Sequence, residues 1–320
     1  MMRHPARLWF PLMQTLLLAA AWLCCQPVLA ADESPVAMAA RYAQEVDKRL
    51  TLPAVEVARY GALAQQMLQA AGITLDRPQY LVLVDRSPQV QAVLLLWMAP
   101  PPASPLLIGA SPASTGRGGE FDYFETPTGV FAHDTTNPDF RAEGTFNEKG
   151  IRGFGLRGMR VFDFGWQQGR RGWGAGGISA MRLMLHATDP DQLEPRLGSV
   201  QSKGCVRIPA TLNRLLDQHG LLDADYEAAL LAGQHFWVLS PLRTPVTDAG
   251  RYLIVVDTQR TERPDWSPSP FKTSPKRKSV PPPASSRLPP SSAPQGSNTA
   301  APSMAPARSA AIASLACANG

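Results

Sequence analysis

The chain contains, at residues 183–208, the stretch Leu183-Met-Leu-His186-Ala-Thr-Asp-Pro-Asp-Gln-Leu-Glu-Pro-Arg-Leu-Gly-Ser-Val-Gln-Ser-Lys-Gly-Cys205-Val-Arg-Ile208. It combines a histidine, His186, with a cysteine, Cys205, that directly follows a glycine. A catalytic thiol needs a base to take its proton and hydrogen-bond donors aimed at the oxyanion that forms on the substrate. Residues 180–186 predict a strand that ends at the histidine. The prolines within 189–195 predict a loop, because proline disfavours helix in the residue before it.

A helix is predicted shortly after the cysteine. Pro209 suits a first helical turn, leucines at helical spacing follow it, and Gly220 is a stop signal. Unpaired N–H groups at a helix N-terminus favour a negative charge and lower the pKa of a nearby thiol. The residues alone therefore predict a secreted cysteine acyltransferase or hydrolase. Two alternatives are a small buried structural cysteine and a disulfide between Cys205 and Cys317, which would switch the enzyme off.

This segment resembles the catalytic signature of the L,D-transpeptidase catalytic-domain (YkuD-type) family: a histidine, a spacer of similar length, and a Ser-His-Gly-Cys turn. A second block, Ser114-Thr-Gly116 followed by Glu125-Thr-Pro-Thr-Gly-Val-Phe131, is similar to the stretch that lies upstream of the histidine in that family. The resemblance covers residues 78–242. Lys203 stands where the family has the histidine of its Ser-His-Gly-Cys turn, which leaves the rate and the choice of substrate open.

The resemblance implies a mechanism on peptidoglycan stem peptides. Cys205 would attack the carbonyl of the third residue of a stem tetrapeptide and release D-Ala. An amine of a second stem peptide would then resolve the thioester as a 3-3 cross-link. His186 would act as general base and acid, with its ring oriented by the backbone carbonyl of Ala187. The backbone N–H groups of Gly204 and Cys205 are the expected oxyanion donors.

Three side chains near the cysteine are predicted to bind substrate: Ser202, Lys203 and Arg207. Arg207 could equally anchor the turn to the domain. Thr126, Pro127 and Gly129 are assigned to the fold, as parts of a tight turn before a strand.

Other outcomes of the same thioester stay open. Water would make the protein an L,D-carboxypeptidase, and a protein amine would attach an envelope protein to the wall. A non-catalytic domain that only binds peptidoglycan is the alternative from a different class. The chemistry needs no cofactor or metal, so neither is predicted. Oligomeric state and protein partners are not indicated by the residues.

The first thirty residues are organised like a secretory signal peptide. Arg3 and Arg7 precede an apolar stretch over 8–25, and residues 28–30 form a small-residue cleavage site. We therefore predict a protein of the periplasm or cell envelope with no stable membrane span after cleavage.

The charge of the chain is unevenly distributed. The net charge is +5, and residues 261–320 hold seven Lys/Arg against two Asp/Glu. Residues 31–260 hold 22 Lys/Arg and 24 Asp/Glu, a net charge of −2. A basic tail beside a slightly acidic body does not indicate a nucleic-acid partner, so none is predicted.

A glycine-rich stretch, residues 150–177, precedes the histidine strand. Its G-x-G-x-x-G match, which begins at Gly153, lacks the strand before it and the helix after it that a dinucleotide site requires. A mobile loop or hairpin over the active site and a purely structural set of turns are the two interpretations.

Four segments are predicted along the chain. Residues 1–30 are the signal peptide, 31–77 a helical segment with helices over 41–50 and 55–71, 78–258 the catalytic domain, and 259–320 a disordered tail rich in Pro, Ser and Ala. Many short strands with few helices favour a mostly β, α+β domain. The resemblance implies an L,D-transpeptidase-like β-sandwich or barrel. Strands are predicted at 80–84, 90–98, 106–108, 161–164, 181–186, 235–239 and 252–256.

Overall fold

The computed structural model describes residues 34–269. The predicted signal peptide, most of the predicted tail and Cys317 lie outside the described residues. The described part is an α+β fold built mostly of strands, which confirms the predicted class. Its nine strands form two mixed sheets.

The larger sheet has five strands in the order β3-β2-β1-β9-β4. The strands β1, β2 and β3 pair antiparallel in succession. Strand β9 pairs in parallel with β1, and β4 pairs antiparallel with β9. Most of these strands match the predictions, and β4 is the strand expected after the tight turn at Gly129. The five strands are β1 (Gln79–Asp85), β2 (Ala92–Met98), β3 (Leu106–Pro112), β4 (Gly129–Ala132) and β9 (Tyr252–Val256).

The smaller sheet has four strands in the order β5-β6-β7-β8. Long antiparallel strands β6 and β7 form its centre, and β8 pairs in parallel with the end of β7. The pairing of His186 with Arg207 brings the predicted histidine beside the strand that follows the cysteine. The four strands are β5 (Phe140–Arg141), β6 (Arg160–Arg170), β7 (Ile178–His186) and β8 (Val206–Arg207).

Four α-helices occur within residues 34–269: α1 (Pro35–Glu45), α2 (Ala54–Ala70), α3 (Ala210–Gln218) and α4 (Ala224–Leu231). The helix predicted after Pro209 is present, and the predicted loop contains one 3₁₀ turn at Glu194–Arg196. None of these helices has the length and apolar character needed to cross a bilayer.

Side chains on the two faces of the larger sheet enter two different cores. Val82 and Val84 of β1 pack in the core shared with the smaller sheet, which also holds Phe162 of β6. Leu81 and Leu83 point to the opposite face, where α2 covers them. Burial on both faces explains why β1 and β2 are continuously apolar instead of alternating. Residues 35–77 pack on both cores, through α1 on the first and α2 on the second.

One predicted helix has the wrong end, and one predicted strand is absent from the structure. The first helix was predicted over 41–50 but ends at Glu45, because the chain then runs along β3 and the Leu50 N–H donates to the Ala110 carbonyl at 2.8 Å. The strand predicted at 235–239 is a turn. Phe236 packs edge-on against Tyr226, with 4.8 Å between ring centroids, so no neighbouring strand pairs with this segment.

The predicted boundary of the disordered tail is also wrong, because residues 259–269 pack against the fold. Arg260 pairs with Glu56 of α2 at 2.5 Å, and the Trp266 ring meets the Tyr60 ring at 5.8 Å in a T-shaped contact. Arg263 also donates to the Pro88 carbonyl at 2.7 Å and the Ser267 hydroxyl to the Gln89 carbonyl at 3.1 Å, so several contacts hold a segment that its composition assigns to a disordered tail.

Candidate active site

The two sequence blocks that carried the resemblance meet at the turn around Cys205. Ser114 and Arg207 exchange backbone hydrogen bonds of 3.0 and 2.9 Å. The Ser202 N–H donates to the Thr115 carbonyl at 2.9 Å. The upstream block thus forms one wall of the turn, although about ninety residues separate the two in the sequence.

Thr126 joins these blocks through its side chain. Its buried hydroxyl accepts the Gly116 N–H at 2.8 Å and donates to the Gly204 carbonyl at 2.7 Å. A Cβ on Gly116 would lie 2.0 Å from the Phe124 carbonyl oxygen, so only glycine allows this approach. Thr126, which the sequence assigned to the fold alone, therefore positions the turn that carries the cysteine.

The turn is closed by Ser202 and Gly204. The Ser202 hydroxyl donates to the Cys205 carbonyl at 2.5 Å and accepts the Gly204 N–H at 3.1 Å. Gly204 has φ +133°, a region that favours glycine. Two predictions are therefore wrong for this conformation: the Gly204 amide is not a free oxyanion donor, and Ser202 serves the turn instead of a substrate. Buried N–H groups need a partner, and the nearby hydroxyl supplies it.

Cys205 is almost fully buried, with 1% of its surface exposed. It packs with Val161 and Met184, and its Sγ lies 3.7 Å from the Arg182 carbonyl oxygen. The residue is disulfide-bonded. Cys205 is the only cysteine within residues 34–269, so its partner lies outside the described residues, as does the predicted partner Cys317. Thiol chemistry therefore requires the reduced protein.

His186 ends β7 with its ring in a defined orientation. Its Nδ1 lies 2.5 Å from the Ala187 carbonyl oxygen, and the Phe154 ring packs edge-on against it at 4.8 Å. A carbonyl only accepts, so Nδ1 carries the hydrogen and the neutral ring has its lone pair on Nε2. Nε2 is buried and has no hydrogen-bond partner. The ring is thus arranged to accept a proton at Nε2.

The environment of His186 keeps its ring neutral. Burial is the main cause and lowers its pKa to about 3. The Ala187 carbonyl acts in the opposite direction, and the nearby Arg207 guanidinium lowers the pKa further. The imidazole is therefore a free base at neutral pH.

The structure places the predicted base at the end of β7 and the predicted nucleophile directly before β8, its neighbour in the sheet. Leu185 pairs with Val206 and His186 with Arg207, so Cys205 lies just before the strand next to the histidine. Adjacent strands are about 4.8 Å apart. Phe154 contacts the His186 ring and also packs against the cluster that holds Cys205. The glycine-rich stretch thus contributes an aromatic cover to this site.

Lys203 and Arg207 have different surroundings. The Lys203 ammonium lies 3.4 Å from a carboxylate oxygen of Asp122 and 5.4 Å from the centre of the Tyr123 ring. Arg207 anchors the turn through its backbone, whereas its buried Nε and Nη2 have no hydrogen-bond partner. Burial lowers the pKa of Arg207 to about 10; Tyr123 raises it, and neighbouring arginines lower it.

Sequence reasoning missed a buried charge cluster behind the site. Arg160 donates to Asp139 at 2.7 Å and to both oxygens of Asp223 at 2.7 Å. His133 Nε2 lies 2.9 Å from the other Asp139 oxygen. These residues are far apart in the sequence and share no motif, so no pattern signals that they meet.

Comparisons with known protein families and with curated proteins found no match. Within residues 34–269, no group of three or more His, Cys, Asp or Glu side chains is arranged to hold a metal ion. The function of the chain is therefore inferred from its own residues and their arrangement.

Proposed function

We propose that this chain is a peptidoglycan L,D-transpeptidase of the cell envelope, with an L,D-transpeptidase-like β-sandwich of two mixed sheets. The observation that carries the proposal is the His186 ring. Its Nδ1 is directed to the Ala187 carbonyl and its Nε2 is left without a partner, on the strand beside Cys205. A neutral, oriented imidazole next to a cysteine is the arrangement that nucleophilic thiol catalysis needs.

In the first half-reaction, His186 Nε2 takes the thiol proton as Cys205 Sγ bonds to the carbonyl carbon of the third stem residue. The C–N bond to D-Ala then breaks. The imidazolium returns the proton to the departing nitrogen, so D-Ala leaves as a neutral amine and a thioester remains. Burial of the site strengthens these interactions, because charges in a water-poor environment are weakly screened.

In the second half-reaction, the amine of another stem peptide attacks the thioester. His186 accepts the proton that this nitrogen loses, the C–S bond breaks, and the proton returns to the cysteine. The product is an amide between two third residues. Water in place of the amine gives an L,D-carboxypeptidase, and an amine of a protein gives attachment to the wall.

The test is intact-mass spectrometry of the reduced full chain incubated with tetrapeptide-stem muropeptides. We expect an acyl adduct on the wild-type protein, release of free D-Ala, and neither in Cys205→Ala, which lacks the nucleophile. Product masses separate cross-linking from hydrolysis. A reduced, folded protein that forms no adduct and no product contradicts the proposal and favours a domain that only binds peptidoglycan.

Lys203→His is expected to keep the rate of D-Ala release within about threefold of wild type, a barrier change below about 0.7 kcal/mol. An ammonium has no lone pair to accept a proton, and this one faces Asp122, so it is not the base. Rates of D-Ala release measure the effect, with Asp122→Asn as the variant that removes only the partner of the lysine. A loss as large as that of Cys205→Ala would give Lys203 a function of its own.

A further inference from the structure

A positively charged cavity lies next to the segment that carries the proposed nucleophile. Its volume is about 480 Å³, and Arg207 lies in its wall. Four basic residues line it, against a single acidic residue, Glu120, which is itself paired with Arg117 at 2.5 Å. The cavity therefore carries an excess of positive charge that favours an anion. The four basic residues are Arg117, Lys149, Arg196 and Arg207.

Arg207 is the basic residue of this cavity wall whose side chain is fully buried. Its Nε and Nη2 are buried and donate to no acceptor, and the charged or titratable side chains that act on it are Tyr123, Arg117 and Arg196. Within residues 34–269 no carboxylate pairs with its guanidinium. A buried arginine without an acceptor is costly to retain. Its backbone alone anchors the turn, so its side chain is available for a ligand.

We propose that this cavity binds a carboxylate of the acyl-donor peptide, with Arg207 as the residue that receives it. The inference rests on the proposed function. Arginine binds carboxylates through two parallel N–H bonds, which suits a planar guanidinium with free donors. Arg207 lies two residues after Cys205, about 7 Å along an extended chain. A peptide can reach both residues at once, because the scissile carbonyl and the C-terminal carboxylate of the next residue are only three bonds apart.

Binding there also affects the base. Arg207 pairs with His186 across the strands, and its positive charge disfavours protonation of the imidazole. A bound carboxylate neutralises this charge and makes His186 a stronger base when the donor is in place. The cavity thus couples recognition of the donor to activation of the thiol.

The first test needs no peptide. The reduced full chain is alkylated with iodoacetate or with the neutral analogue iodoacetamide; in either case the thiolate forms a C–S bond and iodide leaves. Mass spectrometry of the Cys205 peptide gives the two rates. We expect the iodoacetate-to-iodoacetamide rate ratio to fall about tenfold in Arg207→Gln, which removes a charge-assisted contact, and by less in Arg196→Gln. Arg59→Gln, the same charge change on the exposed face of α2, keeps the wild-type ratio.

Several results would overturn the proposal. They are an unchanged ratio in both cavity variants, a fall of the same size in Arg59→Gln, or no alkylation of Cys205 by either reagent in folded protein. Arg196 is only partly buried, so Arg196→Gln keeps the test decisive even if Arg207→Gln does not fold.

The second test identifies the carboxylate. Donor tetrapeptides carry either a free or an amidated C-terminus, and either diaminopimelate or lysine as the third residue. If Arg207 binds the C-terminal carboxylate, Arg207→Gln lowers kcat/KM about ten- to hundredfold for the acid and little for the amide. If it binds the third residue, the loss depends on diaminopimelate instead. Equal losses on all four peptides contradict the proposal. If the alkylation rate ratio falls in Arg207→Gln as expected but no peptide is turned over, the proposed function is contradicted and the anion-binding site is supported.

Discussion

The His186→Asn variant is expected to release D-Ala from a tetrapeptide donor about a hundred to ten thousand times more slowly than wild type. Asparagine keeps an N–H donor for the Ala187 carbonyl but has no basic nitrogen, so only proton transfer is lost. Chromatographic measurement of D-Ala gives the rates. His219→Asn is the matched control, because His219 is also buried, its Nδ1 lies 3.2 Å from the Thr244 carbonyl oxygen, and its Nε2 has no partner.

The pH profile separates a base from a structural histidine. A base works only when it is unprotonated, so kcat/KM falls as the pH drops through its pKa. Burial and Arg207 hold the pKa of His186 at about 3, so the acidic limb of the wild-type profile lies well below pH 6.5. Arg207→Gln removes one of the causes that lower the pKa of His186, so the acidic limb of the kcat/KM profile moves to higher pH. A limb near pH 6.5 in both proteins, or equal losses in His186→Asn and His219→Asn, contradicts the assignment.

The part of the site that the sequence predicted is the part that lies within a short segment. His186, Ala187 and Cys205 belong to one continuous stretch, in which a strand, a loop and a helix start each leave a signal. The sequence did not predict the hydrogen bonds that Ser202 and Gly204 make within the turn, because a residue pattern does not show which donors a turn uses internally. The sequence places these residues in one segment, whereas it does not show the direction of each N–H group.

The fold shows the same division between strong and weak local signals. Strands β1 and β2 were predicted, because each contains a continuous apolar run, of five residues in β1 (80–84) and seven in β2 (92–98). Strands β5 and β8 have only two residues each and depend entirely on their neighbours in the sheet. Helix α1 ends early because pairing of Leu50 with β3 outweighs helix propensity. Contacts between residues distant in the sequence thus determine the secondary structure where the local sequence pattern is weak.

The buried cluster around Arg160 is the clearest long-range feature of this kind. Asp139 precedes β5, Arg160 starts β6 and Asp223 precedes α4, so the cluster joins the smaller sheet to the helices. Arg160 and both carboxylates are fully buried. Burial alone would raise the pKa of Asp139, but His133 and Arg160 outweigh it and the pKa is lowered. The guanidinium of Arg160, together with His133, therefore stabilises the ionised carboxylate of Asp139.

Arg160→Met is expected to lower the free energy of unfolding by about 3–5 kcal/mol at pH 7, because methionine fills similar space but leaves two buried carboxylates without their cation. Urea unfolding followed by circular dichroism measures it, with Arg59→Met, an exposed change on α2, expected within about 0.5 kcal/mol of wild type.

The effect of Arg160→Met should also depend on pH. Because the pKa of Asp139 is lowered in the folded protein, this carboxylate stabilises the fold at a pH above its ordinary pKa, and the stabilisation is lost as the pH falls through its pKa in the folded state. The difference between wild type and Arg160→Met should therefore shrink below about pH 4, where the Asp139 carboxylate takes up a proton. A difference that stays constant with pH would mean that Arg160 contributes packing and no charge.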